Sequence, residues 1–513
     1  MQGGREKVAA RVPPKRDAGR DAAFALAGMS AYLGIDVGTS AVKAVVLGES
    51  GELTDQASAP LEVSRPRPLW SEQDPDAWWH AADSAVRALA ARSATRGVGA
   101  VGLSGQMHGA TLLDASLRPL RPAILWNDGR SAAACRTLEA AAPESRRITG
   151  NLAMPGFTAP KLVWLREHEP ALFGRIRTVL LPKDYVRLRM TGELATDVSD
   201  ASGTLWLDVA KRRWSEAMLA ACDLPLAAMP ALFEGPDETG RLRAEVAEAW
   251  GMARVPVAAG AGDQAAGAIG AGVIAPGQAS LSLGTSGVLF SADDRFRPNP
   301  ERAMHAFCHA LPGAWHEMSV LLSAASCLSW IARATGAASE AALLDEVEAA
   351  DRPSERLLFL PYLSGERTPY NDPDASGAFV GLTHETDRAA LARAVLEGVA
   401  FAFADAQAVL LEAGALLSEV SVIGGGARSR LWGRILASVL GRPLVYREAG
   451  EVGPAFGAAR LARLCSAGEP AAAVCTPPPA LWTAEPDAAL AAHYAPRLAA
   501  FRELYPRLRR NTP

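Results

Sequence analysis

Tyr32-Leu-Gly-Ile-Asp-Val-Gly-Thr-Ser-Ala-Val-Lys-Ala-Val-Val46 and Gln278-Ala-Ser-Leu-Ser-Leu-Gly-Thr-Ser-Gly-Val-Leu-Phe290 carry the same tripeptide, each time at the bend of a strand–turn–strand pattern. Aligning Gly38 with Gly284 sets Asp36 opposite Ser282, so the copies share a backbone pattern and differ in charge. A turn of Gly, Thr and Ser offers close backbone approach, free N–H groups and hydroxyl donors, which suits a phosphate. Two such turns suggest two related domains closing on one anionic ligand. Two ordinary hairpin turns would leave the same trace, and the repeat alone does not separate these readings.

Around the first copy, Tyr32–Val37, Ala41–Leu47 and Glu52–Val63 read as a three-strand meander. Asp74-Pro75 then opens a helix, Asp as N-cap and Pro at the first helical position. Trp79, Ala82, Val86 and Leu89 recur at helical spacing and are expected to face the core. The strand Val98–Leu103 runs into Ser104-Gly-Gln-Met-His-Gly109 and returns as Ala110–Leu113. Val255–Gly262 reads as a buried strand ending at Asp263, followed by a small-residue helix, Gln264–Gly272. Val273–Gln278 is the candidate hinge. Asp387 caps a helix to about Glu412; then follow the strand Glu419–Ile423, the glycines Gly424–Gly426 and a helix ending near Gly441. A helix N-terminus after glycines is a natural anion or nucleotide site. The strand Leu444–Arg447 and the glycine-rich stretch Gly450–Gly457 come next. Thr476-Pro-Pro-Pro479 reads as a linker and Asp487–Leu508 as a terminal helix.

At 513 residues, 49% hydrophobic and 21% charged, the chain fits two globular domains. Its net charge of −4 and lack of a basic run in the body argue against nucleic acid as a partner. Six scattered cysteines without a Cys-x-x-Cys read as free thiols of a reducing, cytoplasmic setting. No uninterrupted apolar stretch reaches membrane-spanning length, so no membrane partner is expected. Residues 1–29 are expected to be a disordered extension, with Met29 as the natural start.

Asp36 ends an apolar strand beside the first turn. A carboxylate there would be desolvated and would repel a phosphate; a divalent cation bridging the two resolves both problems. Asp263 has a similar position, flanked by small residues that leave room for a ligand. A general base and a helix N-cap are both open for it, and the roles are compatible. Gln106 and His108 at a glycine-bounded bend favour hydroxyl recognition. Trp126-Asn-Asp-Gly-Arg130 brings an aromatic face with amide, carboxylate and guanidinium groups, the ingredients of a sugar site or of a plain surface turn. No Gly-x-x-x-x-Gly-Lys-[Ser/Thr] is present, so ATP would not bind through a P-loop.

Together these segments resemble the FGGY family of carbohydrate kinases. Gly156–His168 looks like that family's first signature, and Gly377–Leu382 through Leu391–Glu397 its second, with a departure at Ala390. The resemblance runs from about Tyr32 to Leu464. Trp70–Pro75, Gly105–Gly109, Ile124–Arg130 and Leu181–Tyr185 narrow it to members acting on a ketose. It implies an α/β fold: two RNase H-like domains in the actin-like ATPase arrangement, flanking a deep catalytic cleft. Residues 30–275 would bind sugar, 276–475 nucleotide, and 476–513 would form a linker and C-terminal helix. It further implies ATP and Mg2+ as cofactors. Asp263 would be the catalytic base and Asp36 a second catalytic residue, needed for activity through magnesium. The ketose would lie against Met107 and His108, with Gln106, Trp126, Asn127, Asp128 and Gln264 nearby. Gly38, Thr39, Ser40, Gly284, Thr285 and Ser286 would meet phosphates, and Gly424, Gly425, Gly426, Ala427 and Ser429 the nucleoside. Ketose kinases of this family often carry Asn where this chain has Gln264. A homodimer is compatible with the resemblance. The rival from another class is an actin- or chaperone-type ATP switch without a sugar pocket.

Overall fold

The structure is a computed structural model that describes residues 31–350, 353, 355–424, 426, 429–447 and 453–509. The first copy of the repeat forms β1 (Ala31–Val37) and β2 (Ala41–Gly48), an antiparallel hairpin extended by β3 (Leu53–Pro60). Asp74 caps α1 (Pro75–Ala91), its side chain accepting from Asp76 N–H. Ala82, Val86 and Leu89 are buried as expected, and the face widens to include Trp78. Trp78 is fully buried and Trp79 only partly, because tandem tryptophans give two competing helical phases. β4 (Val98–Gly105) lies parallel to β1 and buried along its whole length. The following strand, β5 (Thr111–Leu113), does not return along β4. It pairs instead with β6 (Thr178–Leu180), a partner more than sixty residues away that local pattern cannot reveal.

The apolar run before Asp263 is two short strands rather than one. β7 (Glu238–Arg241) pairs with β8 (Pro256–Ala258), which pairs with β4 at Val101. Gly260, at φ +75, kinks the chain; β9 (Ala261–Gly262) then rejoins β4 at Ser104 and Gly105. The kink lets the segment deliver α2 (Asp263–Ala271) at the end of the central strand.

The second copy forms β10 (Gly277–Leu283) and β11 (Gly287–Asp293), followed by β12 (His305–Cys308) and β13 (Trp315–Leu321). α3 (Ala325–Ala334) and the long α4 (Arg388–Glu412) precede β14 (Leu417–Ile423). Then come α5 (Arg430–Leu440), β15 (Leu444–Arg447), α6 (Pro454–Ala467), β16 (Ala480–Ala484) and α7 (Ala488–Arg509). The sheet order is β12-β13-β11-β10-β14-β15-β16. Relative to β1 and β10, both sheets repeat one plan: an antiparallel hairpin partner on one side and a parallel strand on the other. The segment after the prolines is therefore not only a linker and helix, because β16 closes the edge of the second sheet against β15. α4 is the one helix among the described residues long and apolar enough to cross a membrane, and it is mostly buried in the second core.

α6 lies in sequence between two strands of the second sheet but packs on the first. A Cβ at Gly34 would lie 1.9 Å from Ala455 O, and one at Gly102 1.9 Å from Ala458 O. Against α2 the clearance is as small: a Cβ at Gly457 would lie 1.8 Å from Ala266 O. These contacts are backbone against backbone, so no rotamer change relieves an added methyl. Gly457→Ala is expected to lower unfolding free energy by about 3 kcal/mol. Gly267→Ala, whose added methyl meets nothing within 4 Å, should not destabilise. Paired denaturation midpoints check this, and equal midpoints would refute the close-contact account.

Candidate active site

Asp36 is delivered to the cleft by β1, in register with Ser104 of β4 and Lys43 of β2. Burial pushes its carboxyl up to about 6, opposed by the Ser104 hydroxyl and the Lys43 charge. Its Oδ1 is buried without a hydrogen-bond partner. The turn that follows is held from behind. Gln106 Nε2 donates to Gly38 O (3.2 Å) and to Gln73 Oε1 (2.8 Å), while Gln106 Oε1 accepts from Thr39 Oγ1 (3.1 Å). Gln73 Nε2 donates to Thr39 O (2.7 Å), and Trp78 Nε1 to Gln73 Oε1 (2.9 Å). Gln106 is 2% exposed, so its amide fixes the turn instead of lining the cleft. Gln73, which sequence reasoning quoted without a role, is the hub of this network. Ser40 is exposed at the rim.

Asp263 is the first residue of α2, behind the N-cap Gly262, so it is not itself the cap. Burial and then the neighbouring Asp36 charge push its carboxyl up to about 7, opposed by the backbone and side chain of Gln264. Asp263 and Gln264 line a cavity of about 190 Å³ whose opposite wall is Ser282, Val288, Phe290 and Ile423 of the second sheet. The repeat's single charge difference therefore has a place. Ser282, the counterpart of Asp36, lines the same cavity as Asp263 without adding a charge to it.

Met107 packs over Gly262, where a Cβ would lie 2.9 Å from Met107 Cγ. His108 has φ +71, a left-handed conformation costly for a residue with a side chain. Its Nδ1 lies 2.7 Å from Gly203 O, which assigns the ring proton to Nδ1 and leaves Nε2 as an acceptor. Burial, then Lys161, push the imidazole down to about 3, so the ring is neutral at ordinary pH. The segment quoted as the first family signature maintains this bend. Lys161 Nζ (2.8 Å) and Thr158 Oγ1 (3.2 Å) both donate to His108 O. Burial lowers Lys161 itself to about 7.

Trp126, 43% exposed, donates from Nε1 to Thr39 Oγ1 (3.0 Å), and Asn127 is exposed beside it. Asp128 faces inward. Its oxygens accept from Ser71 N (2.6 Å), Arg130 N (2.9 Å) and the Arg130 guanidinium, which stacks 3.5 Å over Trp70. This carboxylate therefore fixes the loop and has no lone pair directed at the cleft.

The second turn borders a larger cavity of about 850 Å³, walled by Gly284, Thr285, Ser326, Arg333, Gly426, Ser429 and Trp432. Thr285 and Ser286 are exposed. Gly284 O accepts from Ala325 N (2.7 Å), and Thr285 O from Ala324 N (2.9 Å) and Ser326 Oγ (2.7 Å). These bonds consume N–H groups at the start of α3 and fix the turn. Ser429 Oγ caps α5 by accepting from Trp432 N (3.2 Å), and Gly424 turns the chain at φ +97. Gly425 and Ala427 lie outside the described residues.

Residues 31–270 match the FGGY family of carbohydrate kinases, N-terminal domain, and residues 279–464 its C-terminal domain. The chain is 57% identical to a xylulose kinase of Escherichia coli (strain K12) over 478 residues, 93% of this chain and 99% of that protein. It is 37% identical to a xylulose kinase of Bacillus subtilis (strain 168), covering 85% of this chain and 88% of that protein. A crystal structure of a xyloylose kinase from Brucella ovis superposes with TM-score 0.91 at 50% identity, over 94% of this chain and 100% of that one.

An acid whose folded pKa is raised binds more protons in the native state than in the unfolded state. Its stability contribution is complete below the unfolded value and is lost as pH rises through the folded one. For Asp263 that window runs from about 4 to about 7. Asp263→Asn removes this titration. Its Tm is expected to exceed wild type by about 2–4 °C at pH 8, with the gap narrowing below pH 7 and closing near pH 4. A gap independent of pH would contradict the electrostatic account.

Proposed function

The chain belongs to the FGGY family of carbohydrate kinases, and we propose that it transfers the γ-phosphoryl group of ATP to the terminal hydroxyl of D-xylulose with Asp263 as general base. The observation that carries the reading is a carboxylate raised to about 7 at the mouth of α2, in a cavity between the two sheets. A base whose pKa lies near the operating pH combines adequate ionisation with adequate proton affinity. Asp263 takes the hydroxyl proton as the sugar oxygen attacks the phosphorus in line. The neutral His108 offers Nε2 to a sugar hydroxyl, and Met107 gives an apolar wall between that hydroxyl and Gly262. Trp126 and Asn127 stand at the entrance, and Gln264 beside the base.

On the nucleotide side, the exposed Thr285 and Ser286 present hydroxyl and backbone donors to the phosphates, and Ser429 and the Gly424–Gly426 turn border the nucleoside. Gly38, Thr39 and Ser40 meet the transferring group from the sugar side. The unpartnered Asp36 Oδ1 and that residue's raised pKa fit a divalent cation such as Mg2+. When bound, the cation supplies charge neutralisation between carboxylate and phosphate. No group of three or more candidate metal ligands occurs among the described residues, so phosphate and water would complete its shell. In this reading residues 30–275 hold the ketose and residues 276–475 the nucleotide. Closure of the two halves excludes water, which would otherwise compete for the phosphoryl group.

Asp263→Asn should retain xylulose binding and lose about 10²–10⁴-fold in turnover. In the wild type, kcat/KM should fall below about pH 7 as the base protonates. Near-wild-type turnover in the variant would exclude Asp263 as the base. A second measurement addresses the sugar. In a panel of xylulose, ribulose, glycerol and sugar alcohols assayed by ADP release, D-xylulose should give the highest kcat/KM. A higher value for glycerol would overturn the substrate assignment.

A further inference from the structure

Behind the base lies a charged cluster with no access to solvent. Lys183 Nζ sits 2.6 Å from Asp184 Oδ1, 2.7 Å from Asp197 Oδ2 and 3.1 Å from Asp200 Oδ2, and all four side chains are 0% exposed. Arg187 adds a second cation, 3.4 Å from Asp184. Two cations face three carboxylates. Burial holds Asp200 well above the ordinary carboxylate range, opposed by the Lys183 charge. Such a cluster is costly to assemble and is weak evidence of stabilisation by itself. Its other contacts show where it leads.

Asp197 Oδ1 accepts from Ser199 N (2.8 Å), Asp200 N (3.1 Å) and Ser199 Oγ (2.5 Å), which caps the short helix Val198–Ser202. With its proton committed to Asp197, the Ser199 hydroxyl is left as an acceptor. It accepts from Gly262 N (3.2 Å). Gly262 is the N-cap of α2, it carries no side chain to cap the helix, and the next residue is Asp263. On its remaining sides Gly262 is bounded by Gly105 of β4 and by Met107. The backbone entering the base is therefore fixed on one flank by the sheet and on the other by a single hydroxyl.

We propose that Ser199, oriented by Asp197 and Lys183, is a positioning residue for Asp263: its hydroxyl fixes Gly262 and thereby the start of α2, so that the carboxylate stands where the sugar hydroxyl arrives. This rests on the assignment of Asp263 as the base. The rigid ion cluster gives the serine one rotamer and one proton direction, which a solvent-exposed serine would not have. Displacement of a reacting group by about 1 Å can cost about 100-fold in rate without weakening binding of the substrate.

The test is steady-state kinetics on the full chain. Ser199→Ala should lower kcat by roughly 10–100-fold, with KM for xylulose and for ATP changed by less than about threefold. Ser199→Cys keeps the volume with a poor acceptor and should behave alike, which carries the test if the alanine variant does not fold. Ser215→Ala is the control. It removes another N-cap hydroxyl, one that accepts from Met218 N, and should lower Tm while leaving kcat unchanged. Wild-type kcat in the Ser199 variants, a loss confined to KM, or an equal kcat loss in Ser215→Ala would each overturn the proposal. Asp263→Asn separates the two readings. If that variant is inactive while the Ser199 variants are normal, only the positioning role fails; if it is active, the base assignment fails first.

Discussion

The Asp36 carboxylate stands close enough to Asp263 in one cleft to raise its proton affinity, and much of the first domain is arranged around that strain. Asp36 and Asp263 arrive from different strands of one sheet, and burial lifts both above the usual carboxylate range. An arrangement of this kind is unfavourable to the fold and favourable to a proton acceptor working near neutrality. The surroundings bear the cost through rigid polar contacts. The Gln73–Gln106–Thr39 amide network fixes one carboxylate's turn. The bond from Gly262 N–H to Ser199 fixes the backbone before the other.

The two domains share a plan and divide the labour. In each sheet the central strand ends at a Gly-Thr-Ser turn, with an antiparallel hairpin partner on one side and a parallel strand on the other. Ser282 stands where the first half has Asp36, so the second turn has no carboxylate at that position. The same backbone plan thus carries a buried carboxylate in one half and a hydroxyl in the other.

Local chemistry was legible in the sequence where it acts over a few residues. Asp74-Pro75 and Asp387 mark helix starts, and the two strand–turn–strand copies mark the sheet centres. What stayed hidden depends on distant partners. Thr111–Leu113 pairs with a strand more than sixty residues on, and Ala480–Ala484 is a strand only because Leu444–Arg447 offers an open edge. The tandem Trp78-Trp79 blurs helical phase until burial chooses one. In the site, Asp36 and Asp263 could be read from their position after apolar strands. Gln106 and Asp128 could be found but not oriented, because the same polar residue can face a ligand or a neighbouring backbone. Lys161 gave no signal because it holds the carbonyl of His108, more than fifty residues earlier, and the Lys183 cluster because its charges meet only when the chain folds.

The path of the chain has a mechanical consequence. α2 leads from the first sheet to the second, β15 is followed by α6 back on the first, and β16 returns to the second. Three covalent strands therefore span the boundary between the halves. Beside these crossings the two helices α2 and α6 are pressed together at Ala266 and Gly457, backbone against backbone. Any relative movement of the halves has to leave that contact intact, because no rotamer change can relieve it.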